Sequence, residues 1–283
     1  MKICVLIRVF DRIEDLECNI EIIKKTWNNF DYDIIIVSNG KSKGYKIDMK
    51  KLDGVFKVVE LNENVGHMKG SSQLLIEGMK SIELEKYEKI IILEADTWIY
   101  GDNIIKKYIK IMKNEDAVWA SAKWYQRYYS LATDFAIIDT KFLMKNKEIF
   151  NFEELPEYYV AQYISTVGEK YVWIKEGMPV MVPSYIKKYP FAPKGRFFIF
   201  PKMLMVTHHI EYLKLGIMEK KTIFNAITGS PFFDTELSKS KKIMMIKWYF
   251  FVKVVFNILP QKTWVRSIKY FYSEKDFLKK NEK

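Results

Sequence analysis

Apolar runs alternate with amphipathic segments through the first 122 residues of the chain. Short runs rich in isoleucine and valine predict strands buried on both faces, and segments with apolar residues at helical spacing predict helices. The predicted strands are 2–9, 32–40, 56–61, 90–93 and 117–122, and the predicted helices are 13–27, 70–81 and 103–113. This alternation predicts an α/β fold with a mostly parallel central sheet flanked by helices.

The pattern loosens after residue 122. One further helix is predicted at 154–165, and a proline- and aromatic-rich stretch with weak periodicity follows it. Long irregular segments of compact domains are often functional loops, so we interpret this half as the part that faces the substrate. The predicted division is one domain over 1–238, with a regular half at 1–122 and a substrate-facing half at 123–238, and a helical basic tail at 239–283.

Two carboxylates end the fourth predicted strand. The run KIIILEAD, residues 89–96, closes with Glu94 and Asp96, whose side chains point the same way because side chains alternate along a strand. Open α/β sheets place ligands at the carboxyl ends of their strands, and two carboxylates there suit a hard divalent cation with phosphates in its shell. The alternative is that Asp96 merely caps a helix.

The loop after the first strand excludes two common nucleotide sites. A dinucleotide-binding fold needs Gly-x-Gly-x-x-Gly at this point, whereas residues 8–12 read RVFDR and contain no glycine. The chain also has no P-loop sequence. These absences favour a fold that holds a pyrophosphate through a metal on Glu94 and Asp96.

Four motifs in a fixed order carry a family resemblance. They are RVFDR at 8–12, Ser38-Asn39-Gly40, Asn64-Val65-Gly66 before a helix, and Glu94-Ala95-Asp96. Over about residues 2–165 this order resembles the GT-A glycosyltransferases, and most of all their large inverting family 2. The resemblance implies a GT-A fold and a nucleotide-sugar donor, a UDP-sugar in the first place. It also implies a divalent metal, Mn²⁺ or Mg²⁺, on Asp96, and donor contacts from Arg8, Asp11, Asn39 and Glu94.

The chain departs from the family pattern at two places. Glu-x-Asp stands where the family has Asp-x-Asp, which keeps two carboxylates. The family's Arg-Asn pair after Asn-x-Gly falls on Ser71 and Ser72. Lys69 is the candidate for the missing positive charge at the donor, and a solvated lysine at a helix start is the alternative interpretation.

The resemblance also implies a general base and a further metal ligand. If the anomeric centre inverts, a group must take the proton of the acceptor hydroxyl. Glu157 is the best positional match for this catalytic base and Asp134 is the second candidate, although either could be an ordinary surface or capping carboxylate. His208, in Thr207-His208-His209, is the candidate metal ligand, because imidazole suits Mn²⁺-like ions alongside carboxylates.

Charge is concentrated in the tail. Residues 239–283 hold twelve Lys and Arg against three acids, which gives +9 of the net charge of +11. Basic residues interleaved with Trp, Phe and Tyr are typical of a helix that lies on an anionic membrane surface, and a core helix with a solvated basic end is the alternative. Because the body of the protein is nearly neutral, a nucleic-acid partner is disfavoured.

The amino-terminal sequence and the cysteines predict the compartment. MKICVLIRVF is interrupted by Arg8 and lacks the form of a signal peptide, and two cysteines fit a reducing environment. We therefore expect a cytoplasmic protein, peripheral on the inner face of the cell membrane.

The leading hypothesis is a metal-dependent glycosyltransferase with a glycan or lipid-linked acceptor, acting in cell-surface polysaccharide or glycoconjugate synthesis. A sugar nucleotidyltransferase is the rival enzyme, but it would need a glycine-rich loop after the first strand. A catalytically silent GT-A-like binding module is the rival from another class.

Overall fold

The computed structural model describes residues 1–123, 130–177, 189, 198–207, 216–235, 243, 246 and 250. The strands in these residues are β1 (Lys2–Val9), β2 (Asp31–Ser38), β3 (Lys57–Glu60), β4 (Lys89–Glu94), β5 (Trp98–Ile99), β6 (Trp119–Ser121), β7 (Phe135–Asp139), β8 (Tyr171–Trp173), β9 (Phe198–Phe200) and β10 (Met205–Thr207). The α-helices are α1 (Ile13–Thr26), α2 (His67–Lys80), α3 (Asn103–Glu115), α4 (Thr140–Lys145), α5 (Pro156–Thr166) and α6 (Ile217–Thr228). Short 3₁₀ helices lie at Lys41–Lys43, Met49–Lys51, Leu84–Lys86, Lys147–Phe150 and Pro201–Met203.

Seven strands form the central sheet in the order β3-β2-β1-β4-β7-β6-β8. All neighbours in this order pair in parallel except β7, which runs antiparallel to both β4 and β6. The carboxyl ends of the other six strands and the amino end of β7 therefore lie along one edge, which we call the strand-end edge. This edge is where an α/β sheet places its ligands.

Helices cover both faces of the sheet, which explains the unbroken apolar run at residues 3–7 of β1. Ile3, Val5 and Ile7 point into a core shared with α1 and α3. Cys4 and Leu6 point into the opposite core, which is shared with α2 and α5. Because both faces are buried, a central strand cannot alternate apolar with polar residues.

A small sheet of order β5-β10-β9 lies beside the central one. Both pairs in it are antiparallel, and Trp98 of β5 is opposite Val206 of β10. Trp98 also packs against α6 in a third core, where its ring and that of Phe224 are 5.8 Å apart. Within the described residues, the helices are too short or too polar to cross a membrane.

The prediction of a mostly parallel α/β sheet between layers of helices is confirmed. Strands and helices predicted in the first 122 residues are all present, with bounds that differ by at most three residues at either end. The sequence did not indicate β7 or the small sheet. β7 is a five-residue strand whose partners lie far along the chain, and such pairing leaves little local signal.

Candidate active site

Three charged residues stand side by side on the strand-end edge. The register of β1 and β4 pairs Arg8 with Glu94. On the other side of β4, Leu93 is opposite Phe135, and the Glu94 amide donates to the Asp134 carbonyl at 2.9 Å. The reversed direction of β7 thus places the start of that strand beside the end of β4.

Arg8 is a buried cation that holds this edge together. Its side chain is 4% exposed, and Nη2 donates to Glu94 Oε1 at 2.6 Å and to the Thr133 carbonyl at 2.7 Å. Its Nε and Nη1 are buried and have no hydrogen-bond partner among the described residues. Arg8 and Glu94 are both predicted to contact the donor, and in this structure they form an ion pair with each other.

Glu157 approaches the same edge from the first turn of α5. Its backbone carbonyl accepts from the Leu131 amide at 2.9 Å, which ties α5 to the segment before β7. Burial, together with the charges of Glu94 and Asp134, raises the pKa of Glu157 to about 7, although a backbone hydrogen bond and the charge of Arg8 act in the opposite direction. The Oε2 atom is buried and has no hydrogen-bond partner among the described residues. Glu157 is therefore a carboxyl group poised to exchange a proton near neutral pH.

Asp134 lies in the same group of charges but is more enclosed. Its side chain is 4% exposed, and its Oδ1 accepts from the Phe135 amide at 2.9 Å. The structure thus brings together both residues predicted as the base, Glu157 and Asp134, with Glu94 and Arg8.

The acidic turn, residues 94–97, follows β4 and carries Asp96. Asn19 of α1 donates from Nδ2 to the carbonyls of Glu94, Ala95 and Thr97, at 3.3, 3.2 and 2.9 Å. The fourth carbonyl, that of Asp96, accepts from Lys220 Nζ of α6 at 2.5 Å. Every carbonyl of the turn therefore has a donor on a buried side chain.

The fit of a divalent cation to this turn rests on Asp96. Asp96 is 8% exposed, while the Glu94 carboxylate is already paired with Arg8. The described part of the chain holds no cluster of three or more metal-ligating side chains. His208 lies outside the described residues, but Thr207 before it bonds Thr97, with the two hydroxyl oxygens 2.6 Å apart. A single carboxylate fits a cation whose other ligands are phosphate oxygens and water.

The three remaining donor-contact candidates occupy the other half of the edge. Asn39 is fully buried after β2, and its Nδ2 donates to the Gly70 carbonyl of α2 at 3.1 Å. Asp11 is 38% exposed and 3.6 Å from Arg12. Lys69 is 57% exposed and forms an ion pair with Glu153 at 3.0 Å. Asn39 therefore supports α2, whereas Asp11 and Lys69 are accessible.

Two other groups at the site, Lys123 and Lys220, are not indicated by the sequence. Lys123, just after β6, lies over the Trp173 ring at 4.8 Å, and burial lowers its pKa to about 8. Lys220 is one of 46 Lys and Arg residues and is separated from Asp96 by 124 positions. A lysine in an amphipathic helix normally faces water, so only the fold shows that Lys220 is buried.

No protein-family model and no curated protein matches the chain. Solved structures similar to it include TarS of S. aureus, at 14% identity and a TM-score of 0.45, over 62% of this chain and 36% of TarS. The mannosyltransferase PcManGT from Pyrobaculum calidifontis, in complex with GDP-Man and Mn²⁺, is similar at 10% identity and a TM-score of 0.44, over 88% of this chain and 69% of that one. The 4-diphosphocytidyl-2C-methyl-D-erythritol synthase from Anaerococcus prevotii is similar at 13% identity and a TM-score of 0.42, over 60% of this chain and 86% of that one. At these identities, what the structures share with this chain is the backbone fold.

Proposed function

We propose that the chain is a glycosyltransferase that moves a sugar from a nucleotide-sugar donor to a glycan or lipid-linked acceptor, in the synthesis of a cell-surface polysaccharide or glycoconjugate. The observation that supports this most strongly is the position of Glu157. Glu157 has a pKa of about 7 and lies near Glu94 and Asp134, at the edge where the acidic turn carries Asp96. A proton acceptor and a cation-binding turn on one edge are the two groups that sugar transfer to a hydroxyl requires.

In the proposed reaction Glu157 acts as the general base. The acceptor hydroxyl oxygen forms a bond to the anomeric carbon while the bond from that carbon to the phosphate oxygen breaks. The nucleoside diphosphate leaves with the bonding electrons, and the hydroxyl proton passes to Glu157. A pKa near the operating pH leaves a substantial fraction of the base deprotonated while it remains strong enough to accept the proton. Asp134 is the alternative base.

We assign Asp96 as the residue that would hold a divalent cation, Mn²⁺ or Mg²⁺, with His208 as a further candidate ligand. When bound, the cation would neutralise the charge that develops on the departing diphosphate. Glu94 remains at the donor, where Arg8 fixes its orientation through the 2.6 Å ion pair. Asp11 and Lys69 are the accessible groups for the ribose and the phosphates, and Asn39 supports α2 beneath them.

An aromatic pair supports placing the nucleobase near the ends of β1 and β2. The rings of Phe10 and Tyr45 are 5.3 Å apart in an edge-to-face arrangement, and Tyr45 is 38% exposed. A Cβ atom at Gly40 would lie 2.0 Å from the Phe10 carbonyl oxygen, so only glycine lets the two loops approach this closely. Aromatic faces stack on bases of any sequence, which suits the base of a UDP-sugar.

The tail supports an acceptor at a membrane. Ile243, Ile246 and Phe250 have helical backbone and are 63%, 64% and 52% exposed. A spacing of three and four residues is typical of one helix face, and lysines of the basic tail lie close to them in the sequence. The rest of the tail lies outside the described residues. We propose that it binds the anionic inner face of the cell membrane.

A donor screen tests the proposed function. UDP-, GDP-, dTDP- and CMP-sugars are incubated with Mn²⁺, and release of nucleotide is measured for the wild type and for Asp96→Ala. We expect turnover of one donor class by the wild type and none by the variant. Asp33→Ala is the control, because Asp33 bonds Tyr87 and Lys2 at the opposite edge of the sheet. Full activity of a folded Asp96→Ala variant at saturating Mn²⁺ would contradict the site.

A parallel assay with nucleoside triphosphates and sugar 1-phosphates separates the two rival functions. A sugar nucleotidyltransferase would release pyrophosphate from a nucleoside triphosphate and a sugar 1-phosphate, and would not consume nucleotide sugars. A silent binding module would bind Mn²⁺ and nucleotide without any turnover.

A further inference from the structure

Lys220 of α6 is a buried ammonium group behind the acidic turn. Its side chain is 0% exposed, and Nζ donates to Asp15 Oδ1 at 2.6 Å and to the Asp96 carbonyl at 2.5 Å. Nζ also lies 4.3 Å from the centre of the Trp98 ring, a favourable position for a cation. All three contacts converge on the residues that surround Asp96.

Stability alone does not explain a lysine at this position. Burying two charges is costly, and apolar side chains of similar volume often replace a buried ion pair without loss of stability. What an apolar side chain cannot do is donate a hydrogen bond to the Asp96 carbonyl. The contact that distinguishes lysine is therefore the contact with the acidic turn.

Asp15 and Asn19 of α1 also hold the acidic turn in place. They are four residues apart, so they lie on the same face of α1, and both are buried. Asn19 binds three carbonyls of the turn directly, and Asp15 holds the ammonium group that binds the fourth. The turn is thus clamped between α1 and α6.

We propose that Lys220 is a positioning residue, which is anchored by Asp15 and fixes the Asp96 backbone so that the Asp96 carboxylate is held ready for a divalent cation. This inference rests on the proposed function, because it takes Asp96 as the metal ligand. Partners that orient a ligand from behind typically contribute 10–100-fold to metal affinity. We expect a loss of that size when the Lys220 bond is removed.

The test measures Mn²⁺ binding rather than activity. Asp15→Asn/Lys220→Met removes both charges together, and so avoids leaving one of them buried without its partner. Free Mn²⁺ is followed by electron paramagnetic resonance, first with the metal alone and then with saturating UDP. We expect the double variant to fold and to bind Mn²⁺ about 10–100-fold more weakly. Lys89→Met/Asp139→Asn, the same change in an ion pair at the other end of β4, should keep wild-type affinity.

The remaining outcomes decide between the positioning role and its alternatives. Wild-type Mn²⁺ affinity in the folded double variant overturns the positioning role. Asp96→Ala, run in parallel, tells this apart from failure of the proposed function: if it also keeps wild-type affinity, the metal site itself is wrong. If the Met variant does not fold, Asp15→Asn/Lys220→Gln replaces it. Its two amide groups can still bond each other, but the glutamine side chain is shorter than lysine and is not expected to reach the Asp96 carbonyl. Failure of both pairs to fold overturns the proposal in favour of a purely structural ion pair.

Discussion

Glu157 owes its chemical character to its surroundings. Glu153, four residues earlier, is 74% exposed and forms an ion pair with Lys69, whereas Glu157 is largely buried among like charges. Burial and the neighbouring Glu94 and Asp134 disfavour its ionised form, and Arg8 offsets part of that effect. The same residue type therefore supplies a solvated surface charge at one position and a proton acceptor near neutrality at the other.

The pH dependence of turnover should report Glu157. Because the base must be ionised, kcat should rise with pH through an apparent pKa of about 7 and then level off. Glu157→Gln keeps the size and hydrogen bonding but removes the ability to accept a proton, and should cost roughly 10²–10⁴-fold in kcat with little change in donor affinity. Glu153→Gln is the control. A loss of that size from Asp134→Asn instead would make Asp134 the base.

Stability should depend on Glu157 with the opposite sign to catalysis. Its pKa rises from the ordinary 4.5 to about 7 on folding, so the folded state binds the proton more tightly than the unfolded state. Its contribution to stability is fully present below pH 4.5 and is lost as pH rises through 7. Relative to the wild type, Glu157→Gln should thus gain in Tm between pH 4.5 and pH 8. Calorimetry that finds the same Tm difference at both values would contradict the assigned environment.

At the scale of elements, local patterns predict the strands that are central and long. The predicted bounds of β1 match the observed ones, because residues 3–7 form an unbroken apolar run of the kind expected where both faces of a strand are buried. β7 was not predicted, because Phe135–Asp139 lies within a segment that mixes aromatic and polar residues. Its direction, which brings Asp134 next to Glu94, depends on pairing with strands more than ten residues away along the chain. Local composition carries no information on such pairing.

Helix α2 supplies a test of packing at this scale. A Cβ atom at Gly78 would lie 2.9 Å from Cδ1 and Cδ2 of Leu6 and 3.3 Å from Cγ1 of Val37. Alanine raises helix propensity by about 1 kcal/mol, but overpacking a filled core typically costs about 1–3 kcal/mol. We therefore expect Gly78→Ala to lower the free energy of unfolding in denaturant titrations. Ser71→Ala, on the same helix, is the control, because it changes helix propensity without the close contacts that Gly78 makes. A stabilised Gly78→Ala protein would show that α2 packs less closely on β1 and β2.

On the scale of the whole molecule, residues far apart in sequence build one site. Arg8 and Thr133 are separated by 125 positions, and Lys220 and Asp15 by 205. The family resemblance identifies Glu157 as the best positional match for the base and Asp134 as the second candidate. The contacts of Arg8 and Lys220 were not predictable, because they arise only when the sheet and α6 are assembled.

The basic tail supplies a prediction at the same scale. Removing residues 241–283 should release the protein from anionic liposomes in sedimentation assays, since each basic residue near the surface contributes about 1 kcal/mol and apolar insertion adds to it. Activity on a short soluble acceptor should be largely retained. Added salt should weaken binding of the full chain without abolishing it, because only the charged part is screened. Full-length protein that ignores anionic vesicles, or a truncated protein that unfolds, would contradict the role of the tail.

The most direct test of the proposed site is a crystal soaked with UDP and Mn²⁺. The anomalous signal of manganese locates the cation independently of the nucleotide. We expect the signal at the carboxylate of Asp96, with the diphosphate beside it and uracil near Phe10 and Tyr45. Manganese bound elsewhere on the chain, or UDP bound away from the strand-end edge, would contradict the assignment of this edge as the donor site.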